Sequence, residues 1–216
     1  HTSGVGVGGG GMKSSSSTPP VIGSPVPYLA MFMNCILWMT YGVLGGNFTL
    51  VLVNFVGFLF SVYYSYLYYR IVSQPSSVSG GSSGSGKDSF LTQCSIVLLI
   101  YVHCMAYIMF FLNHHETEVK HLGYMAALCS ILMFGSPLVS LRDVIQKRDA
   151  SSIPLLMSLA ATGCSLSWTL YGISLGDSSI VTPNFIGTLL GLVQLGLKWI
   201  YSNNGKQSGH DRGLIV

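Results

Sequence analysis

Residues 38–57 read WMTYGVLGGNFTLVLVNFVG, and 130 positions later residues 168–187 read WTLYGISLGDSSIVTPNFIG. Trp38, Tyr41, Gly42, Asn54 and Gly57 recur as Trp168, Tyr171, Gly172, Asn184 and Gly187. Aligned without gaps, the two stretches agree at eight of twenty positions, where average composition would give about one or two. The first copy carries no charge and the second only Asp177. A duplicated apolar unit with an Asn deep in each copy is a common way to build a small membrane transporter. The repeat therefore points to a carrier rather than an enzyme.

Composition agrees. Half of the 216 residues are hydrophobic and 8% are charged, against about a quarter charged in a soluble domain. No Asp, Glu, Lys or Arg occurs between Lys13 and Arg70, and further charge-free windows run 89–115, 121–141, 150–176 and 178–197. A spanning helix needs about 20 apolar residues, so the first gap holds two helices and each later window one. A buried helix of a soluble protein would need the polar faces that are missing here. The five cysteines all fall inside these windows with no metal-ligand spacing, and they read as small apolar residues.

Helices are expected near 25–45, 48–70, 90–112, 121–144, 153–175 and 178–201, six spans in an all-α membrane protein. The chain divides into a Gly/Ser-rich segment (1–24), a first repeat (25–72), a flexible loop (73–88) and a linker helix (89–113). A second repeat of three helices (121–201) and a tail (202–216) follow. Nine of the ten Lys and Arg residues fall at one end of these spans and only Lys120 at the other, which makes the basic end cytosolic, both termini included. Tyr63, Tyr64, Tyr66, Tyr68 and Tyr69, with Trp199 and Tyr201, are expected at that interface. Asn47-Phe48-Thr49 is a glycosylation sequon on the outer side, close enough to the membrane to be expected unoccupied.

The second repeat has three helices and the first shows two. The missing helix should lie at or before residue 18, where eleven of eighteen residues are Gly or Ser and no span can form. The expectation is a sequence that lacks its first transmembrane helix; a natural six-helix carrier is the alternative. With that helix restored, the N-terminus would lie outside and the C-terminus remain cytosolic.

The repeat also places chemistry. A pseudo-twofold axis would aim Asn54 and Asn184 at one cavity, where an amide both donates and accepts hydrogen bonds. That suits a neutral polyhydroxylated ligand without the cost of burying a charge. An interhelical hydrogen bond is the competing use of a membrane Asn. Trp38 and Trp168 can cover the C–H face of a pyranose with the indole N–H free for a hydroxyl; simple packing is the alternative. Two indoles leave room for a monosaccharide rather than a disaccharide. Pro27, Pro137 and Pro154 lie near the cytosolic helix ends, Pro137 in mid-helix, and can be hinges or, for Pro27 and Pro154, ordinary helix starts.

Of the Asp, Glu, Lys, Arg and His residues, only His103 is expected within the membrane itself, and it lacks a carboxylate partner, so no proton relay is visible. His114, His115 and His121 cluster with Glu116 and Glu118 in an expected outer loop, read as solvated rather than metal-binding. No catalytic constellation, cofactor motif or basic nucleic-acid face occurs.

These motifs resemble the SWEET family of sugar uniporters. Pro27-Tyr28, Asn34-Cys35 and Trp38-x-x-Tyr41-Gly42 are similar to that family's second helix, and Val53-Asn54-Phe55-x-Gly57 to its third. Gly135-Ser136-Pro137-Leu138 with Arg142, Val144-Ile145 and Lys147 resembles the fifth. Ile153-Pro154 and Ser167-Trp168-x-x-Tyr171-Gly172 resemble the sixth, and Asp177 with Pro183-Asn184-x-x-Gly187 the start of the seventh. The resemblance implies a 3+1+3 plan, two parallel three-helix bundles joined by a linker helix. It implies facilitative, bidirectional transport of a monosaccharide such as glucose. It further implies an outer gate at Tyr41, Gly42, Tyr171 and Gly172, and a proline set at the inner gate. Trp38 is similar to animal members. Pro154-Leu155 replaces the Pro-Gln pair of the sister branch, which weighs against a cargo receptor or an amino-acid carrier, as does the absence of charged pocket residues. The expected partners are a small-molecule sugar and the lipid bilayer of a plasma or Golgi membrane; a homo-oligomer stays open.

Overall fold

The computed structural model of the chain describes residues 24–73, 84–111 and 114–213. Seven helices account for nearly all of them: α1 (Val26–Leu44), α2 (Phe48–Val72), α3 (Gly84–Phe111), α4 (His115–Leu132), α5 (Gly135–Lys147), α6 (Leu155–Leu175) and α7 (Ser178–Gly213). There is no strand among the described residues. Residues 1–23, where the first helix of the first unit is sought, lie outside them, as do 74–83 of the expected loop.

The repeat folds twice into one hairpin. α1 pairs with α2 and α6 with α7. Gly46 and Gly176, equivalent by the 130-residue offset, both sit at φ +66°, where an L side chain is strained and glycine is not. The next residue closes each turn. Asn47 N–H donates to the Gly42 carbonyl at 2.7 Å and Asp177 N–H to that of Gly172 at 2.9 Å. The Asn47 Oδ1 then accepts the Leu50 N–H at 3.1 Å, and the Asp177 Oδ1 accepts the Ser179 N–H at 2.9 Å. Each side chain thus satisfies a backbone donor that the first turn of a helix leaves unpaired. Gly42 and Gly172 permit the close approach: a Cβ on Gly42 would lie 3.0 Å from the Asn47 carbonyl oxygen, and one on Gly172 2.9 Å from Val181 Cγ2.

Helix limits differ from expectation where charge-free windows were used to find them. α3 begins at Gly84 rather than residue 90, α4 at His115 rather than 121, and α7 runs on to Gly213 rather than 201. An apolar window marks what lipid tolerates, whereas a helix can continue into water. His115, Glu116 and Glu118 consequently lie in the first turn of α4, where acidic side chains suit the helix dipole, and not in a loop. The single helix expected over 121–144 is two. The chain breaks at Met133–Phe134, and Pro137 is the third residue of α5. Proline has no N–H for the carbonyl four residues back, here Met133, and its ring collides with that carbonyl. The break falls where that chemistry puts it, so Pro137 sits in a first turn rather than in mid-helix.

Among the described residues, five helical stretches are long and apolar enough to cross a membrane: α1, α2, Gly86–Phe110, His115–Lys147 and Ser178–Tyr201. α6, 21 residues without a charge, falls outside that set because Ser158, Thr162, Ser165, Ser167 and Thr169 dilute it. Thr162, Ser167 and Thr169 each donate to the carbonyl four residues back, at 2.6, 2.8 and 2.8 Å. With donors satisfied inside the helix, the cost of hydroxyls in lipid is reduced. Gly187 and Gly191 of α7, one turn apart, receive the Thr162 and Ser165 side of α6, and an added Cβ at Gly187 would meet Ser165 Oγ at 2.9 Å. That is the small-x-x-x-small packing by which membrane helices approach closely.

The two units join mainly through α1 against α4; within the second unit α4 also packs on α7, and α3 touches α1, α2 and α4. Leu37, Trp38, Tyr41 and Leu50 of the first unit, Ile108 of α3, and Leu122, Ala126 and Ile180 of the second form the shared core. Most large apolar side chains of α2 and α3 face outward, as helices bordered by lipid require.

Candidate functional site

Inside that junction lies a cavity of about 140 Å³ lined by Asn34, Trp38, Leu50, Val53, Asn54, Ser130, Trp168, Ile180 and Asn184. All four residues expected to bind ligand, Asn54, Asn184, Trp38 and Trp168, are brought together here. No lining residue is charged.

The two amides are posed alike. Asn54 Nδ2 donates to the Leu50 carbonyl at 2.9 Å and Asn184 Nδ2 to that of Ile180 at 2.8 Å. Each bond uses one N–H and lies within a single helix, so among the described residues neither amide serves as the interhelical tie that was the alternative. One N–H and the carbonyl oxygen of each remain for the cavity.

The indoles differ. Trp38 is 6% exposed, and its Nε1–H donates to Ser130 Oγ at 3.0 Å. Ser130 in turn lies 2.7 Å from Asn34 Oδ1. The Trp38 N–H is therefore taken, contrary to the expectation that it is free. Trp168 is half-buried, and its N–H has no partner among the described residues. Asn34 and Ser130 were not anticipated as site residues. Asn34 could have been found, since it lies one turn before Trp38 on the same helix face; Ser130 carries no sequence signal. The counterpart of Asn34 in the second unit is Cys164, so the polar chain Asn34–Ser130–Trp38 exists on one side only.

Toward the turns, the repeat crosses over. Tyr41 OH donates to Asp177 Oδ2 at 2.6 Å, and Tyr171 OH to Asn47 Oδ1 at 3.0 Å. Each unit's tyrosine reaches the other unit's cap residue. In each unit the tyrosine also meets the cavity tryptophan edge-on: Trp38 and Tyr41 at 5.6 Å and 87°, Trp168 and Tyr171 at 5.5 Å and 83°. Gly123 of α4 makes space for the first pair, since a Cβ there would lie 2.8 Å from Tyr41 Cε2 and 2.6 Å from Ser179 Oγ. Gly123→Ala is accordingly expected to overpack this end and lower stability by about 1–3 kcal/mol, read as a lower Tm in detergent.

At the opposite end, Pro27 is the second residue of α1 and Pro154 caps α6, both ordinary starts for a helix. Lys198 Nζ donates to the Ala150 carbonyl at 2.7 Å, tying α7 to the α5–α6 turn. Beside it, the Ser151 N–H and hydroxyl bond Asp149 and hold its carboxyl below the usual range.

Two like helical units around one neutral polar cavity, cross-bonded at one end, define a membrane protein of the duplicated-bundle class. The family pattern described as "Sugar efflux transporter for intercellular exchange" matches residues 13–76 and 120–206. The chain is 30% identical over 174 residues to Sugar transporter SWEET1 of Dictyostelium discoideum, covering 81% of this chain and 76% of that protein. It is 30% identical over 172 residues to the mouse Sugar transporter SWEET1, covering 80% and 72%. Its fold is similar to the 3.7 Å structure of a eukaryotic SWEET transporter, with a TM-score of 0.72 at 27% identity, covering 82% of this chain and 80% of that one. The chain belongs to the SWEET family of sugar transporters, whose activity is carriage and not catalysis.

Proposed function

We propose that this protein carries a monosaccharide such as glucose down its gradient in either direction, by alternating exposure of the Asn54–Asn184 cavity. The observation that supports this best is the cavity itself: two like-posed amides and one indole N–H without a partner among the described residues, with no charge, inside the spans. Neutral donors and acceptors suit sugar hydroxyls, and they offer no partner for the charged groups of an amino acid or peptide. A carrier needs its site closed from one side while open to the other, and the crossed tyrosine bonds supply a closure at the turn end. We place that end outside and the basic end, with the C-terminus, in the cytosol. Asn54, Asn184, Trp38 and Trp168 are the proposed ligand contacts, and Tyr41 with Asp177 the main outer latch.

The test is uptake and efflux of labelled glucose in proteoliposomes. Saturable flux in both directions, accelerated by sugar on the far side and indifferent to a pH gradient, is expected. Transport of a labelled amino acid in its place, or dependence on a proton gradient, would overturn the proposal.

A further inference from the structure

We infer that Asn47, formally a glycosylation acceptor, is a gating residue: its bond from Tyr171 is a second outer latch, weaker than that between Tyr41 and Asp177. The inference rests on the reading of the turn end as the outer gate. Three observations carry it. First, Asn47 and Asp177 are equivalent by the 130-residue offset, and so are the tyrosines that reach them, so the two bonds are one device occurring twice. Second, the chemistry is unequal. Asp177 divides its work, Oδ1 accepting the Ser179 N–H and Oδ2 the Tyr41 hydroxyl. Asn47 takes both the Leu50 N–H and the Tyr171 hydroxyl on its single Oδ1. A hydroxyl bonded to a carboxylate is held about twice as strongly as one bonded to a neutral acceptor, and the distances of 2.6 and 3.0 Å follow that order.

Third, each latch residue begins the helix that carries the ligand amide. Asn54 lies seven residues after Asn47, and Asn184 seven after Asp177. Seven residues are two turns on the same face, about 10 Å of rigid helix. A ligand that pulls on Asn54 therefore acts on the residue that closes the gate above it. The two sides do so with unequal resistance, and the Asn47 side yields first.

A reporter cysteine at Ile180, which lines the cavity and is buried, can test this in the full chain expressed in cells. A membrane-impermeant thiol reagent added outside reaches it only when the outer end opens. Rates are corrected with the same chain lacking the reporter. Asn47→Ser keeps the helix cap but is too short to reach Tyr171, and Tyr171→Phe leaves the cap untouched. Each is expected to raise the labelling rate about fivefold, the worth of one neutral hydrogen bond, and the double variant no further. Asn47→Asp, which gives Tyr171 a carboxylate, should slow labelling, an outcome loss of a merely structural contact would not produce. Unchanged rates in these variants, while Tyr41→Phe raises the rate, would overturn the second latch and leave the gate reading standing. Additive effects in the double variant would overturn it too. No change even in Tyr41→Phe would remove the outer gate itself.

Discussion

Asn184→Ala and Asn54→Ala are each expected to cut saturable sugar flux more than tenfold at matched amounts in the membrane, with little change in Tm. Each amide offers the cavity one donor and one acceptor, and losing two hydrogen bonds of about 1 kcal/mol each corresponds to about a 30-fold weaker grip. The stability half of the expectation follows from the bonds observed. Among the described residues, Asn54 and Asn184 donate only to carbonyls of their own helices. Removing either one orphans no donor on a neighbouring helix. A structural amide would behave the other way round, with a lower Tm and flux lost only in proportion to folded protein. Flux and Tm measured on the same preparation separate the two.

Gly191→Val should cost the protein its second unit. At Gly191 a Cβ would lie 3.0 Å from Thr162 Cβ and 3.3 Å from Thr162 Cα, with Thr162 Oγ1 closer still. The backbone atom cannot swing aside, and the hydroxyl is held by its bond to the Ser158 carbonyl. The helices would have to separate along the face where Gly187 and Gly191 meet Ser165 and Thr162. Overpacking of this kind costs about 1–3 kcal/mol even where neighbours adjust, and here the α6–α7 pair is what positions Trp168 against Asn184. The expected result is loss of the monodisperse species in size-exclusion chromatography. Gly163→Val provides the contrast: nothing lies within 4 Å of a Cβ at that position, and that variant should elute as the parent does. Equal behaviour of the two would sink the packing argument.

Much of this was legible because the sequence states it twice. The offset that pairs Trp38 with Trp168 and Asn54 with Asn184 required one cavity between two like units, and the charge-free windows located the spans. What escaped has physical causes. The ends of α3, α4 and α7 lie beyond the apolar windows, where continuation of a helix leaves no mark in hydropathy. The break before α5 needed Pro137 to be read as acting four residues upstream. Ser130 joins the site only because α4 packs on α1, a contact between residues far apart in sequence. The inequality of the tryptophans followed from the same contact, which takes the Trp38 N–H and leaves that of Trp168. The pairing of Asn47 with Tyr171 was equally hidden: the sequence shows Asn47 only as part of a sequon expected to stay unoccupied, because the sequon is local and its partner is not.

The hydroxyl-bearing face of α6 also bears on how the chain is made. A segment diluted by this many Ser, Thr and Gly residues is a poor candidate to leave the insertion machinery for lipid alone. Its partner α7 follows after two residues, Gly176 and Asp177, and carries the glycines that fit it. α6 is therefore expected to enter the bilayer as one arm of a pre-formed pair, waiting for α7 to be synthesised. A defect on α7 would then be felt during biogenesis, as misintegration of the helix before it, ahead of any effect on the finished carrier.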